Sequence, residues 1–397
     1  MKLSNKVSAI TPSSTLAITA KAKQMKADGV DVVGFGAGEP DFDTPIHIKQ
    51  AAIKAIEEGF TKYTPASGII ELKKAICDKL KKDNGLEYEI NQIVISNGAK
   101  HSLTNAFMAI LNPGDEVIIP APFWLSYSQM VKLADGIPVI VYANKENNFK
   151  ITVEDLEKVI TDKTKAIIIN TPNNPTGVVY NEKELKEIAD FVVKHDIYVI
   201  SDEIYEKLIY DGIKHVSIAS FNEEIYKRTI IINGVSKSYS MTGWRIGYLA
   251  APSDIAKIIS NMQSHATSNP NSIAQKATIA ALTGPQDCVE AMRKEFEKRR
   301  NYMIDRLTQI PNISFIKPQG AFYIVIDLSN ILGKTFKGKV INNANEFGAI
   351  LLEEENVAVV PCTDFGYSNC IRLSYAIDKE SIQKGLDRIE NFINKLK

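Results

Sequence analysis

Cysteine is scarce in this chain, four in 397 residues, and no two of them (Cys77, Cys288, Cys362, Cys370) form a CxxC pair. That argues against structural zinc and fits a reduced intracellular setting with buried or incidental thiols. A surplus of either charge is also missing, because Lys plus Arg and Asp plus Glu both number 47. Such a balance recommends neither nucleic acid nor an anionic membrane as partner, and no basic helix or zinc-finger spacing adds to the case. No stretch approaches the ~20 apolar residues of a membrane span. The N-terminal segment MKLSNKVSAITPSSTLAITAKAKQ lacks the apolar core of a secretion signal, so a cytoplasmic location is the expectation. The five histidines are scattered, with His195 and His265 reading as structural or surface residues, and no metal site is expected. Neither a Walker A loop nor a GxSxG elbow is present.

What is present is an ordinary globular composition, 45% hydrophobic and 24% charged, in a chain long enough for two domains. The middle alternates strand-like and helical runs. EVIIPAP (116–122), PVIVYA (138–143), KAIIINTP (165–172), YVISDEIY (198–205), RTIIINGVS (228–236) and IGYLAAP (246–252) are short, β-branched and continuously apolar. Helical patterns such as 182–195, with Asn181 as cap, lie between several of them. Continuous apolar strands separated by helices predict a parallel sheet covered on both faces. Ligands of such sheets sit just past the carboxyl ends of the strands, where Asn174, Asp202 and Lys237 fall. Beyond 286 the pattern changes. A long charged helix over 286–310 leads into the strand GAFYIVIDL (320–328), a polar loop GKTFKGK, a helix at 344–356, then AVVPC and IRLSYA. That reads as a smaller α+β unit, with the N-terminal arm expected to join it. The charge run KLKKDNG (79–85) reads as a solvated helix end.

Several residues carry chemistry, each with a plainer alternative. Asp202 follows apolar strand residues, where a carboxylate must meet a cation or donors; it could equally cap a helix. Tyr205, three residues on, could reach the same ligand. TPNNPTG (171–177) forms a rigid turn whose Asn174 amide could bind a ligand oxygen, or only a proline-rich turn. ISNGAKHS (95–102) puts Gly98 and Ala99 at a helix start, which suits a phosphate. GFGAGEPDFDTP (34–45) has the wrong glycine spacing for a dinucleotide fingerprint, so a loop lining a site fits better. Arg372 in CIRLSYA needs a carboxylate, either a substrate's or an internal one. NGVSKSYSMTGWRIGY (233–248) places Lys237 among hydroxylic residues with Arg245 eight positions later; a solvated loop is the alternative.

AGEPDFDTP, KYTPASG, GDEVIIPAPFWLSY, NTPNNPTG, SDEIYE, SKSYSMTGWRIGY and RLSYA occur here in order. Together they resemble the pyridoxal-phosphate aminotransferases of fold type I, over nearly the whole chain. They look most similar to the bacterial aspartate aminotransferase branch, some of whose members also use prephenate. The resemblance implies a large domain with a mainly parallel sheet sandwiched by helices, plus a smaller α+β domain. The implied boundaries are 1–45 for the N-terminal arm and part of the small domain, 46–285 for the large cofactor-binding domain, and 286–397 for the small C-terminal domain.

The resemblance also assigns roles. Lys237 matches the lysine that bonds the aldehyde of pyridoxal 5′-phosphate. Ser236, Arg245, Gly98, Ala99, Lys100 and Tyr63 match phosphate ligands, Tyr63 reaching the neighbouring site of a homodimer. Asp202 matches the carboxylate on the pyridine nitrogen. Asn174 and Tyr205 match ligands of the ring's phenolic oxygen, and Trp124 the aromatic stacked on the ring. Arg372 matches the clamp on the substrate α-carboxylate, with Gly38, Asn174 and Trp124 beside it. Lys100, helped by hydroxyls of Ser13 to Thr15, is the candidate for a distal carboxylate. Prephenate-using relatives carry a cation just before the proline of the N-terminal segment; here Thr11 precedes Pro12, which counts against prephenate. The implied reaction is transamination of L-aspartate with 2-oxoglutarate, with small amino acid and 2-oxo acid substrates. An aromatic or alanine aminotransferase, or a β-lyase on the same cofactor, is the alternative. A regulator carrying this fold would need a DNA-binding domain before residue 34, where none is apparent.

Overall fold

Six of the apolar runs and Ile93–Ser96 assemble into one seven-stranded sheet in the computed structural model, which describes residues 3–11 and 14–397. Across the sheet the strands run Ile93–Ser96, Gly247–Ala250, Thr229–Gly234, Tyr198–Asp202, Thr164–Asn170, Glu116–Ala121, Ile137–Tyr142. Side chains alternate between faces along each strand. Ile168, Ile200 and Ile232 enter one core with Leu249 and Phe107, while Ile167, Ile169 and Val199 enter another with Leu185 and Ile188. Both faces are buried, so the strands read as unbroken apolar runs.

The sheet is mainly parallel, as expected, with an exception on one side. Gly247–Ala250 is antiparallel to both of its neighbours. The reason is local: a parallel return needs a crossover, usually a helix. The segment after Gly234 supplies only turns and a short 3-10 stretch, Thr242–Trp244. That tight connection is the one carrying Ser236, Lys237 and Arg245.

The helix Glu182–Lys194 shows how the flanking layers form. Asn181 accepts from the Glu184 N–H, and the Glu184 carboxylate accepts from the Asn181 N–H, a reciprocal cap. Leu185, Ile188, Ala189 and Val192 then share one buried stripe at helical spacing. Each large side chain so buried contributes roughly 1.5–3 kcal/mol.

C-terminal to the helix Asp287–Leu307, a four-stranded antiparallel sheet runs Val360–Pro361, Cys370–Ser374, Tyr323–Asp327, Ser314–Phe315. The helices Ala344–Glu355 and Lys379–Asn394 pack against it. Val33–Gly34 of the N-terminal arm pairs in parallel with Val357–Ala358. The segment GKTFKGK is a small hairpin, Thr335–Phe336 on Lys339–Val340, rather than a loop. Lys79 also departs from expectation. Its helix, Ile70–Asn84, does end in this charge run with Gly85 left-handed at the cap. Lys79 itself turns inward and forms a buried salt bridge with Glu206.

Candidate active site

The carboxyl ends of the central strands open into a cavity of about 560 Å³ that also touches the C-terminal sheet and the helix Ser14–Ala27. Its walls bring together Gly38, Lys100, Trp124, Asn174, Asp202 and Tyr205, together with Ser236, Lys237, Arg245 and Arg372. Residues spread over more than 300 positions of sequence thus meet in one place.

Asp202 ends its strand and is followed by turns, not by an α-helix. Its Oδ1 accepts from the Ile204 N–H at 3.2 Å, and its Oδ2 accepts from the Tyr127 hydroxyl at 2.6 Å. Burial pushes Asp202 up to about 6, against both hydrogen bonds. Lys237 stands in the connection after the next strand and donates from Nζ to the Gly38 carbonyl at 2.6 Å. Burial pulls Lys237 down to about 8; Glu39 opposes the shift, and Arg245 and Arg372 assist it.

Arg372 sits mid-strand, opposite Val325 and Val360. Only 2% of it is exposed. Nη1 donates to Asn174 Oδ1 at 3.0 Å, Nη2 donates to the Gly36 carbonyl at 3.3 Å, and Nε has no partner among the described residues. The internal carboxylate partner allowed by the sequence is absent among the described residues. A guanidinium in such a place is costly unless an anion completes it. The Asn174 N–H donates to Asn170 Oδ1 at 2.8 Å, which fixes the turn presenting the Asn174 amide.

A second cationic corner lies where the helix Ala99–Ile110 begins. The first N–H groups of a helix have no intrahelical acceptor. Arg245 folds over them, donating to the carbonyls of Thr242 at 2.8 Å and Asn97 at 3.2 Å. Gly98 is required here: its φ is +88°, and a Cβ would lie 2.3 Å from Arg245 Nη2. Gly247 underlies the same corner, since its Cβ would lie 2.1 Å from the Ala99 nitrogen. Ser236 is buried beside it.

Lys100 holds its Nζ 4.7 Å from the Trp124 ring centroid. Burial, then Arg245, lowers its proton affinity. Thr15 lines the same cavity. Pro12 and Ser13 lie outside the described residues, so the expectations for the N-terminal hydroxyls and for the position before the proline reach only Thr15 and Thr11. Tyr63 is not brought in: it is 90% exposed and forms no part of the cavity wall.

Two residues of the site were not singled out from sequence. Tyr127 holds Asp202 and meets the Trp124 ring edge-on, with centroids 5.4 Å apart. Tyr323 shares a 3.0 Å hydroxyl contact with Tyr205 and lies under Arg372. Both sit in apolar stretches and read as core aromatics. The one local signal is the three-residue step from Trp124, which precedes the helix Ser126–Leu133, to Tyr127 in its first turn.

The donor set has a definite chemistry. One corner offers free amides, a hydroxyl and a guanidinium, suited to a phosphate. The floor offers a buried carboxylate short of a cation, suited to a protonated ring nitrogen. Lys237 provides an amine poised between charged and neutral, and Arg372 an anion site. Pyridoxal 5′-phosphate with a carboxylate substrate fits these four demands.

Comparison with known proteins agrees. Residues 30–389 match the family Aminotransferase class I and II. An aspartate aminotransferase of Bacillus sp. (strain YM-2) is 53% identical over 391 residues, covering 98% of this chain and 99% of that protein. A probable aspartate/prephenate aminotransferase of Aquifex aeolicus is 48% identical, covering 99% of each. The crystal structure of the aspartate aminotransferase from Rhizobium meliloti superimposes with a TM-score of 0.97 at 42% identity, covering all of both chains.

Proposed function

Because the chain belongs to the aminotransferase class I and II family, we propose that it transfers the amino group of L-aspartate to 2-oxoglutarate, with pyridoxal 5′-phosphate as cofactor. The observation that carries the reading is Arg372, a buried guanidinium without a carboxylate partner among the described residues, lining the cavity that holds Lys237 and Asp202. An α-carboxylate there would place the substrate's amino-bearing carbon within the cavity of Lys237.

The bound cofactor supplies an electron sink for charge developing at the substrate Cα. Asp202 would keep the pyridine nitrogen protonated, and Asn174 and Tyr205 would hold the phenolic oxygen. Ser236, Arg245 and the amides of Ala99 and Lys100 would hold the phosphate, whereas the Gly98 N–H is already donated to the Ser96 carbonyl at 2.8 Å and Gly98 serves the corner by its backbone shape; Trp124 would cover the ring. Lys237 is the base. Its lowered proton affinity leaves part of the population neutral near pH 7, ready to take the Cα proton at Nζ, hold it and release it. Lys100, which lines the cavity with its Nζ over the Trp124 ring, would hold the second carboxylate of a dicarboxylic substrate.

The reading includes a homodimer in which Tyr63 completes the phosphate site of the second copy; its exposure in the single chain is what that role requires. It also includes a division into an arm with part of the small domain (1–45), a large domain (46–285) and a small domain (286–397), and a cytoplasmic location. No helix among the described residues is long and apolar enough to cross a membrane.

A single-turnover absorbance experiment tests the function. The cofactor-loaded protein is mixed separately with L-aspartate, L-glutamate, L-phenylalanine, L-tyrosine, L-alanine and L-cysteine, without keto acid. Conversion to the aminated cofactor should be fastest with the two acidic amino acids. Faster conversion with aromatic substrates would remove Lys100 from its role. Pyruvate and ammonia from cysteine would indicate a β-lyase, and no conversion at all would refute transamination.

A further inference from the structure

Tyr323 opens the strand Tyr323–Asp327, opposite Ser374 and one diagonal step from Arg372. In an antiparallel pair such diagonal neighbours share a face and lie within reach of large side chains. The register therefore forces the Tyr323 ring against the Arg372 guanidinium. The guanidinium carbon lies 4.3 Å from that ring's centroid, and 5.5 Å from the Phe365 centroid. Arg372 thus touches two rings, an amide and a carbonyl, and its position is held although no carboxylate among the described residues pairs with it. The other end of Tyr323 faces the cofactor side. Its hydroxyl is 3.0 Å from the Tyr205 hydroxyl. A Cβ on Gly38 would sit 3.7 Å from the same oxygen, and the Gly38 carbonyl is the acceptor of Lys237. The ring is buried.

We propose that Tyr323 is a positioning residue joining the two halves of the site: its ring sets Arg372 for the substrate α-carboxylate, and its hydroxyl sets Tyr205 for the cofactor's phenolic oxygen. The inference rests on the function proposed above. It separates two roles within one side chain. The ring governs carboxylate affinity, whereas the hydroxyl governs the cofactor through Tyr205 alone. Two tyrosine hydroxyls in contact can share a single donated hydrogen, so removing either should break the same interaction.

The experiment uses Tyr323→Phe, Tyr323→Leu, Tyr205→Phe and the Tyr205→Phe/Tyr323→Phe double variant. Cofactor affinity of the cofactor-free protein, and maleate affinity of the loaded protein, are measured by fluorescence or calorimetry alongside kcat and KM. Tyr323→Phe should leave maleate affinity within about twofold, because the ring remains. It should weaken cofactor affinity by about three- to tenfold, and the double variant should be no weaker than Tyr205→Phe alone. Tyr323→Leu should weaken maleate binding about tenfold and raise the KM for aspartate more than it lowers kcat. Tyr323→Met is the second ring-free variant should the leucine protein not fold. Additive effects of the two tyrosine-to-phenylalanine changes, or unchanged maleate affinity without the ring, would overturn the inference. A loaded wild type that binds no maleate would remove the proposed function and this inference with it. A wild type that binds maleate, matched by every variant, would remove the inference alone.

Discussion

Tyr127→Phe removes one hydroxyl and nothing else from the site, and its effect can be worked out before the measurement. The hydroxyl donates to Asp202 Oδ2 at 2.6 Å, and burial surrounds both groups. A hydrogen bond to an ionised group contributes about 1.5–3 kcal/mol net. It stabilises only the carboxylate form of Asp202, so its loss raises the proton affinity of that group. At about 1.4 kcal/mol for each pH unit, the midpoint of Asp202 should climb from about 6 by roughly one to two units. The sign is fixed by the donor: phenylalanine cannot donate, and the ring still excludes water. If an ionised Asp202 holds the cofactor, affinity is lost as pH falls through this midpoint. The dissociation constant of pyridoxal 5′-phosphate from the cofactor-free protein, followed by fluorescence between about pH 5 and 9, reads the midpoint directly. Wild type should lose affinity near pH 6, and Tyr127→Phe nearer pH 7 to 8. Trp124 fluorescence and the unfolding midpoint check that the fold is retained. A midpoint that stays in place, or moves down, would refute the assignment of Tyr127 as the group keeping Asp202 ionised.

Other consequences follow from the same geometry. Asp202→Asn should stabilise the cofactor-free protein relative to wild type, by up to about 3 kcal/mol as pH rises from about 4 to 6. The native carboxyl is raised from 3.8 to about 6, so its favourable contribution is complete below 3.8 and lost above 6; urea unfolding at several pH values measures it. Arg372→Leu should raise the KM for aspartate by about 30- to 1,000-fold, the effect of truncating one partner of a buried charge pair, about 2–4 kcal/mol; steady-state kinetics decide, and an unchanged KM counts against the clamp. Lys237→Ala should abolish turnover while the phosphate corner still binds cofactor, and in wild type kcat, which reports the substrate complex where the Nζ amine is free, should rise with pH through about 8 as Nζ loses its proton. Lys79→Met should lower stability by about 3–5 kcal/mol because it leaves the buried Glu206 without its cation, as thermal unfolding would show.

Much of this was legible in the sequence because each strand end carries its own punctuation. The apolar parts of the runs ending at Asn170, Asp202 and Gly234 stop one or two residues short of the strand end, and Asn170 and Asp202 line the cavity. The helix cap at Asn181 and the phosphate corner at Gly98 are also local signals. What escaped detection depends on partners distant in sequence. The antiparallel course of Gly247–Ala250 is set by the lack of a crossover helix, a property of the connection rather than the strand. Tyr127 and Tyr323 look like core aromatics until the positions of Asp202 and Tyr205 are known. Tyr63 was legible only through the family resemblance, because in its own chain it is exposed and forms no part of the cavity wall.

Lys79 shows why a charge run is a poor guide to exposure, and its partner shows how the site is supported. Asp202 and Tyr205 line the cavity, while Glu203 and Glu206 of the same turn point into the protein. Glu203 accepts from Ser201 at 2.9 Å and from Ser217 at 2.6 Å, with His215 Nε2 at 3.0 Å. Glu206 is held by Lys79 and by the Asn84 amide at 2.9 Å. Coulombic attraction from Lys79 and His215 outweighs burial and keeps Glu206 down at about 2. The two rear carboxylates are therefore satisfied, whereas Asp202 in front is pushed the other way for want of a cation. One five-residue turn holds a settled carboxylate at each rear position and an unsettled one at the cavity. The contrast follows from which side each faces, and Asp202 is the group that a cationic ring would complete.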